Sequence, residues 1–159
     1  MSRTKPLTIY KASAGAGKTY TLAYEFIKAV VGIKDPYDKT YRLNHPRYRK
    51  AGRGLASRHR SILAITFTNK ATEEMKRRII DELDALASLP APDEEDASYA
   101  EKLCAEFGCS RSELAETARS SLRQLLFDYH YFNISTIDSF FQRVLRTFAR
   151  ELDRQGDFS

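Results

Sequence analysis

Ala12-Ser-Ala-Gly-Ala-Gly-Lys-Thr19 is the stretch of sequence that decides the fold. Its last three residues match the phosphate-loop pattern G-x-x-x-x-G-K-[ST], while Ala12 replaces the first glycine. The apolar run Leu7–Tyr10 before it predicts a β-strand, and residues 19–31 after it predict a helix. This order places a helix N-terminus where its free N–H groups can bind an anion. We interpret the loop as a triphosphate-binding loop rather than a turn that happens to end in Gly-Lys-Thr.

Each residue type in the loop suits this chemistry. Gly15 and Gly17 have no Cβ, so successive backbone N–H groups can approach a β-phosphate closely. Lys18 supplies positive charge to the β and γ phosphates. The Thr19 hydroxyl is the expected Mg²⁺ ligand, because this cation prefers oxygen donors.

The composition predicts one cytoplasmic domain without a membrane partner. A chain of 159 residues with 42% hydrophobic and 30% charged residues is long enough to form a real core. Its apolar runs are too short to span a bilayer, and no signal region opens the chain. Cys104 and Cys109 are too few for a zinc site, so we expect reduced thiols.

The net charge of +5 is concentrated in one segment. Between Lys34 and Arg60 there are nine Lys or Arg and two Asp, so the remainder of the chain is slightly acidic. Prolines and glycines interrupt this segment, and it shows neither a helical nor a strand period. We predict a basic loop inserted at about 34–61. It either contacts duplex phosphates or is a solvated insertion, and the sequence favours the second interpretation.

Strands and helices alternate in the rest of the chain. Residues 62–66 are typical of a buried parallel strand. A helix is predicted at about 69–88, with a buried face formed by Met75, Ile79, Leu83 and Leu86. A helical excursion at about 89–131 follows. It contains two helices, at about 97–107 and 110–129, and a Ser110–Glu113 capping box opens the second.

Residues 133–137 predict another strand, and Ser139 with Gln142 predicts a capping box that opens a helix to about residue 152. Three strand–helix units indicate an α/β fold with a parallel sheet flanked by helices.

Polar residues cluster where two of these strands pass into helices. One cluster is Thr66-Phe-Thr-Asn-Lys70, and the other extends from Ser135 to Arg143. Ligands of open parallel sheets bind at this edge. The clusters could hold nucleic-acid phosphates while Phe67 stacks on a base. Alternatively they are helix caps, with Phe67 in the core. The residues alone leave both interpretations open.

Together the three stretches resemble the superfamily-1 DNA helicases of the UvrD/Rep type, and the RecB/AddA branch most closely. Ala12–Thr19 is similar to the ATP-binding motif, in which a leading alanine is usual for this family. Residues 66–75 are similar to motif Ia, which contacts single-stranded DNA, and residues 135–145 to the motif often called Ib. The resemblance covers about residues 7–148 and implies a RecA-like P-loop fold.

The resemblance also implies site residues and ligands. MgATP would be bound by Ser13, Ala14, Gly15, Ala16, Gly17, Lys18 and Thr19, with Lys18 and Thr19 catalytic and Thr19 holding Mg²⁺. Single-stranded DNA would be bound by Thr66, Phe67, Thr68, Asn69, Thr136 and Ser139. Asp138 stands where many members have His, so we expect it to cap a helix rather than contact DNA. Duplex ends, a helicase–nuclease partner subunit, 3′ to 5′ translocation and a repair or recombination role follow from the same resemblance.

An acid that organises Mg²⁺ and the attacking water is not evident at the end of any apolar strand. We therefore expect the chain to be the truncated N-terminal part of domain 1A of a longer enzyme, with an incomplete sheet, weak nucleotide binding and no unwinding on its own. In the full-length enzyme, Lys18→Ala is expected to abolish DNA-stimulated ATP hydrolysis. The alternatives are a nucleoside or nucleotide kinase and a non-catalytic DNA-binding module.

Overall fold

The computed structural model describes residues 17–34, 41–45, 47, 58–89 and 99–156. This part is a mixed α/β structure in which helices predominate and the parallel sheet is small. The predicted strand at Leu7–Tyr10 and most of the phosphate loop lie outside the described residues. No described helix combines the length and the apolar character needed to cross a membrane.

Helix α1 spans Gly17–Val31 and confirms the helix predicted after the phosphate loop. Its buried side chains recur at helical spacing, and they are Ala23, Tyr24, Phe26, Ile27, Val30 and Val31. One face of α1 therefore packs into the core.

The basic segment is not a continuous exposed loop, and this prediction is wrong for part of it. Strand β1 (Gly32–Lys34) pairs antiparallel with β2 (Tyr41–Leu43), and Leu43 is buried. The segment ends in a 3-10 helix, Arg58–Ser61, whose His59 is buried. Strands of three residues are too short to show a period in the sequence.

Acidic residues of the helical layer anchor this segment. The Arg47 Nη1 atom lies 2.9 Å from Glu113 Oε1, and His45 Nε2 lies 3.1 Å from Glu116 Oε2. Part of the basic charge is therefore paired within the protein. A Cβ at Gly32 would lie 2.7 Å from the Phe107 ring, so only glycine allows that ring to approach.

Strands β3 (Ala64–Thr66) and β4 (Ile134–Thr136) form the parallel sheet that the sequence predicts. Ala64 pairs with Ile134 and Thr66 pairs with Thr136. Ala64, Ile134 and Thr136 are buried, whereas Ile65 is exposed. One face of the sheet therefore covers the core and the other is open.

Three helices continue the core. Helix α2 (Asn69–Ala87) buries the predicted stripe Met75, Ile79, Leu83 and Leu86. Helix α3 (Ala100–Phe107) and helix α4 (Arg111–Phe127) confirm the two predicted helices that follow. Both hydrogen bonds of the Ser110–Glu113 capping box are present, and α4 packs along α2.

Helix α5 spans Ile137–Gly156 and begins directly after β4. The Thr136 hydroxyl accepts a hydrogen bond of 3.2 Å from the Ser139 backbone N–H, so Thr136 caps the helix. The predicted capping box at Ser139 is wrong, since that residue lies inside the first turn. Asp138 also lies in the first turn and is not the cap that the sequence predicts.

Candidate nucleotide and nucleic-acid site

The described part of the phosphate loop is the start of α1. Gly17, Lys18 and Thr19 form its first turn, which contains no acidic residue, and Thr19 is half-buried. The first N–H groups of a helix have no partner within it, so this end favours an anion. Residues 12–16 and the predicted role of the Lys18 side chain lie outside the described part.

Helix α3 and Tyr99, the residue before it, hold α1 in place. The Tyr99 hydroxyl donates a 3.1 Å hydrogen bond to the Tyr20 carbonyl, and the two rings meet edge to face at 4.7 Å. Burial raises the pKa of Tyr99 to about 12, so the hydroxyl keeps its proton at neutral pH. In the last turn of α1, Lys28 forms an ion pair with Glu106 of α3. Tyr99 therefore supports α1 at Tyr20, close to its start, and α3 supports it near its end.

Hydrogen bonds among three threonines fix the junction between β3 and α2. The Thr66 and Thr72 hydroxyl oxygens are 2.6 Å apart, and both lie 3.2 Å from the Thr68 carbonyl oxygen. The Thr68 hydroxyl accepts a 3.1 Å hydrogen bond from the Ala71 N–H and caps α2. The predicted helix cap is therefore confirmed.

Phe67 extends from this junction into solvent. Its side chain is 90% exposed, so the alternative that places Phe67 in the core is wrong. Asn69 and Lys70 are also exposed. An apolar ring with this exposure, next to an amide and an ammonium group, is available to a ligand from outside.

The junction between β4 and α5 is built in the same way. Thr136 is buried, and its hydroxyl donates a 2.9 Å hydrogen bond to the Ser139 hydroxyl. Ser139 itself is exposed. One turn further along the helix, Arg143 donates a 2.8 Å hydrogen bond to the Ser135 hydroxyl.

The two junctions lie side by side at one edge of the sheet. The parallel register pairs Thr66 with Thr136, so both strands end together. The structure thus brings together the two polar clusters that are far apart in sequence.

Within the described residues, no group of three or more His, Cys, Asp or Glu side chains could hold a metal ion.

Comparison with known protein families gives a match. Residues 2–159 match the family described as UvrD/REP helicase N-terminal domain. The chain belongs to the UvrD/REP helicase family. No curated protein and no solved structure matches the chain.

Membership of the UvrD/REP helicase family has several consequences. The family consists of ATP-dependent helicases, and this domain is their N-terminal, ATP-binding part. It implies a RecA-like P-loop fold, ATP as cofactor and DNA as partner. The kinase alternative is therefore not supported.

Sequence reasoning missed Thr72 in this helicase domain. Thr72 is buried on the first turns of α2, and its hydroxyl closes the hydrogen bonds of the β3–α2 junction. The available signal was its spacing of four residues from Thr68, which places a hydroxyl next to that carbonyl in a helix.

Proposed function

We propose that this domain binds MgATP through Ala12–Thr19 and single-stranded DNA along the edge where β3 and β4 end. The observation that carries the DNA proposal is the Thr66–Thr136 register, which joins both junctions beside the exposed Phe67 ring. Ligands of open parallel sheets bind outside this end of the strands.

The nucleotide phosphates would be bound by the backbone N–H groups of Ser13, Ala14, Gly15, Ala16 and Gly17. Lys18 provides charge to the β and γ phosphates, and Thr19 binds Mg²⁺. The support is the helix start at Gly17, whose first turn carries no acidic side chain that would repel a phosphate. ATP would neutralise the positive end of the α1 dipole.

For the DNA, the described contacts divide the predicted residues into two groups. Phe67, Thr68, Asn69 and Ser139 are exposed and can contact DNA directly. The Thr68 and Ser139 hydroxyls accept hydrogen bonds within the protein, which leaves the proton of each available to a phosphate oxygen.

The hydroxyls of Thr66 and Thr136 are used inside the protein. Thr66 bonds within its junction, and Thr136 is buried and bonds to Ser139 twice. We therefore assign them a positioning role. They hold the turns that present Phe67 and Ser139.

The charges near this edge suit a DNA strand that binds beside α2. Lys70 is exposed in the first turn of α2 and can attract the phosphates. Asp138 is exposed in the first turn of α5, and its own carboxylate is a poor phosphate ligand.

The finer functional assignments belong to the same proposal. The resemblance of Ala12–Thr19, residues 66–75 and residues 135–145 to the RecB/AddA-like branch supports these assignments. That branch would add 3′ to 5′ translocation, action at duplex ends, a helicase–nuclease partner and a role in repair or recombination.

The test compares two exposed phenylalanines. Phe67→Ala is expected to weaken binding of a fluorescent oligo-dT, because stacking on an aromatic ring contributes roughly 1–3 kcal/mol per base, or about 5- to 150-fold in Kd. Phe127 is 88% exposed at the end of α4, before β4 begins, and serves as the matched control. Fluorescence anisotropy should show no more than a twofold change, roughly, for Phe127→Ala. Equal losses in both variants would contradict the proposed DNA path.

A further inference from the structure

The end of α3 brings the two cysteines of the chain together. The helix ends at Phe107, and Gly108 follows in the left-handed conformation with φ of 60°. The Cys109 N–H then donates a 3.2 Å hydrogen bond to the Cys104 carbonyl. This is a helix-terminating turn in which the first and sixth residues are both cysteine.

The turn also favours contact between the two side chains. In this type of turn the side chains of the first and sixth residues commonly make an apolar contact. Here the first and sixth residues are both cysteines, and both side chains are partly buried against the core. A disulfide needs Cβ atoms about 3.5–4.5 Å apart, a separation that side chains in contact can reach with little backbone movement.

We propose that Cys104 and Cys109 form a reversible redox site, which a low-molecular-weight disulfide such as oxidised glutathione converts into an intramolecular disulfide. One cysteine thiolate attacks a sulfur of oxidised glutathione, forms a mixed disulfide and releases one glutathione. The second cysteine then attacks the protein sulfur of that mixed disulfide and releases the second glutathione. The two thiol protons end on the two glutathione molecules, which are the reduced products.

The surroundings of the thiols set the pH dependence of the reaction. Burial raises the pKa of both thiols, and that of Cys109 reaches about 12. The Cys109 thiol and the positive charge of Arg111 favour the Cys104 thiolate, whereas burial and the carboxylates of Glu101 and Glu113 oppose it. Either cysteine can attack first, and the other then resolves the mixed disulfide. Because little thiolate is present at neutral pH, the reaction is slow and accelerates as pH rises.

This site adjoins the elements that hold the nucleotide-binding helix. Residues between the two cysteines include Glu106, which pairs with Lys28 of α1, and Phe107, which packs at Gly32. The disulfide would close only a short loop, so its entropic effect on stability is small. Oxidation should therefore restrict this turn and leave the rest of the fold unchanged.

The experiment incubates the 159-residue chain with oxidised glutathione at about pH 8.5, near the reference thiol pKa. Free thiols are then blocked, and peptides are mapped by mass spectrometry without reduction. We expect the Cys104 and Cys109 peptides of the wild type to be linked to each other, with the loss of two hydrogen atoms and no retained glutathione.

Two single variants test whether each thiol resolves the adduct on the other. Cys109→Ser should accumulate a stable glutathione adduct on Cys104, because no thiol resolves it. Cys104→Ser should likewise accumulate a stable glutathione adduct on Cys109. Circular dichroism checks that both variants are folded. If either is not, the test is whether the wild-type peptide map shows the Cys104 and Cys109 peptides linked.

Three results would overturn the proposal. They are retained glutathione on both cysteines of the wild type, disulfides between chains in place of the internal one, and no reaction of the folded chain where the urea-unfolded chain reacts. The first two would show that the turn does not pair the thiols. The third would show that the two side chains make only an apolar contact at the end of α3.

Discussion

Thr72 offers a sharp test of how the protein presents Phe67. Thr72→Val keeps the shape of the side chain but removes the hydroxyl that lies 2.6 Å from that of Thr66 and 3.2 Å from the Thr68 carbonyl oxygen. Each such hydrogen bond contributes about 0.5–1.5 kcal/mol net. Thr66 can still donate to the Thr68 carbonyl, so we expect a loss of about 1–2 kcal/mol in the free energy of unfolding.

The same change should weaken single-stranded DNA binding, although Thr72 is buried and cannot contact DNA. Loosening the turn at Phe67 by about 1 kcal/mol corresponds to roughly a fivefold rise in Kd. Denaturant titration measures the stability, and fluorescence anisotropy with oligo-dT measures the affinity. Thr72→Ser, which retains the hydroxyl, should restore the affinity.

Thr117→Val is the matched control. Thr117 is equally buried, and its hydroxyl also bonds to the carbonyl four residues earlier, at 2.8 Å from Glu113, but it lies on α4. This variant should lose about 1 kcal/mol of stability or less and keep its DNA affinity. An unchanged Kd for Thr72→Val, or equal weakening by Thr117→Val, would refute the argument that this turn positions Phe67.

Three further predictions concern other parts of the chain. Lys18→Ala should lower the affinity for MgATP at least tenfold, roughly, because a charge-assisted contact to phosphate is lost; titration with a fluorescent ATP analogue measures this, and unchanged binding would contradict the assignment. Burial lowers the pKa of His59, so on acidification the unfolded chain binds a proton at this residue before the folded chain does. The contribution of His59 to the free energy of unfolding should therefore fall as pH drops below about 6.5. Denaturant titrations at successive pH values should show that His59→Leu removes this component, and an identical pH dependence in both proteins would exclude it. Phe141 and Phe148 are 56% and 64% exposed on α5, so the chain should self-associate as concentration rises; replacing both with Ser should shift its elution from a sizing column toward the monomer, and a wild-type elution volume independent of concentration would contradict this.

Much of the helical layer could be predicted from the sequence. The stripe of α2 has a clear helical period, and the Ser110–Glu113 spacing marks the start of α4. Both signals are local, so they need no knowledge of the partner surfaces. The parallel pairing of β3 and β4 followed from the helices between them.

Other features depend on contacts that local sequence does not encode. Strands β1 and β2 have three residues each and form through pairing, with Leu43 buried against the helices. Thr136 and Ser139 are both good caps, and the direct passage from β4 into α5 selects Thr136. The direction of Phe67 was open because a phenylalanine at a strand end suits the core as well as a ligand surface.

The most direct test of the proposed DNA path is photocrosslinking of an oligo-dT that contains iodouracil, a base that couples to aromatic side chains when irradiated. Peptide mapping should place the crosslink at Phe67, with loss of that crosslink in Phe67→Ala and its retention in Phe127→Ala. Crosslinks at Phe127, Tyr129 or Tyr131 that persist in Phe67→Ala, with none at Phe67, would show that single-stranded DNA does not bind at the edge formed by β3 and β4.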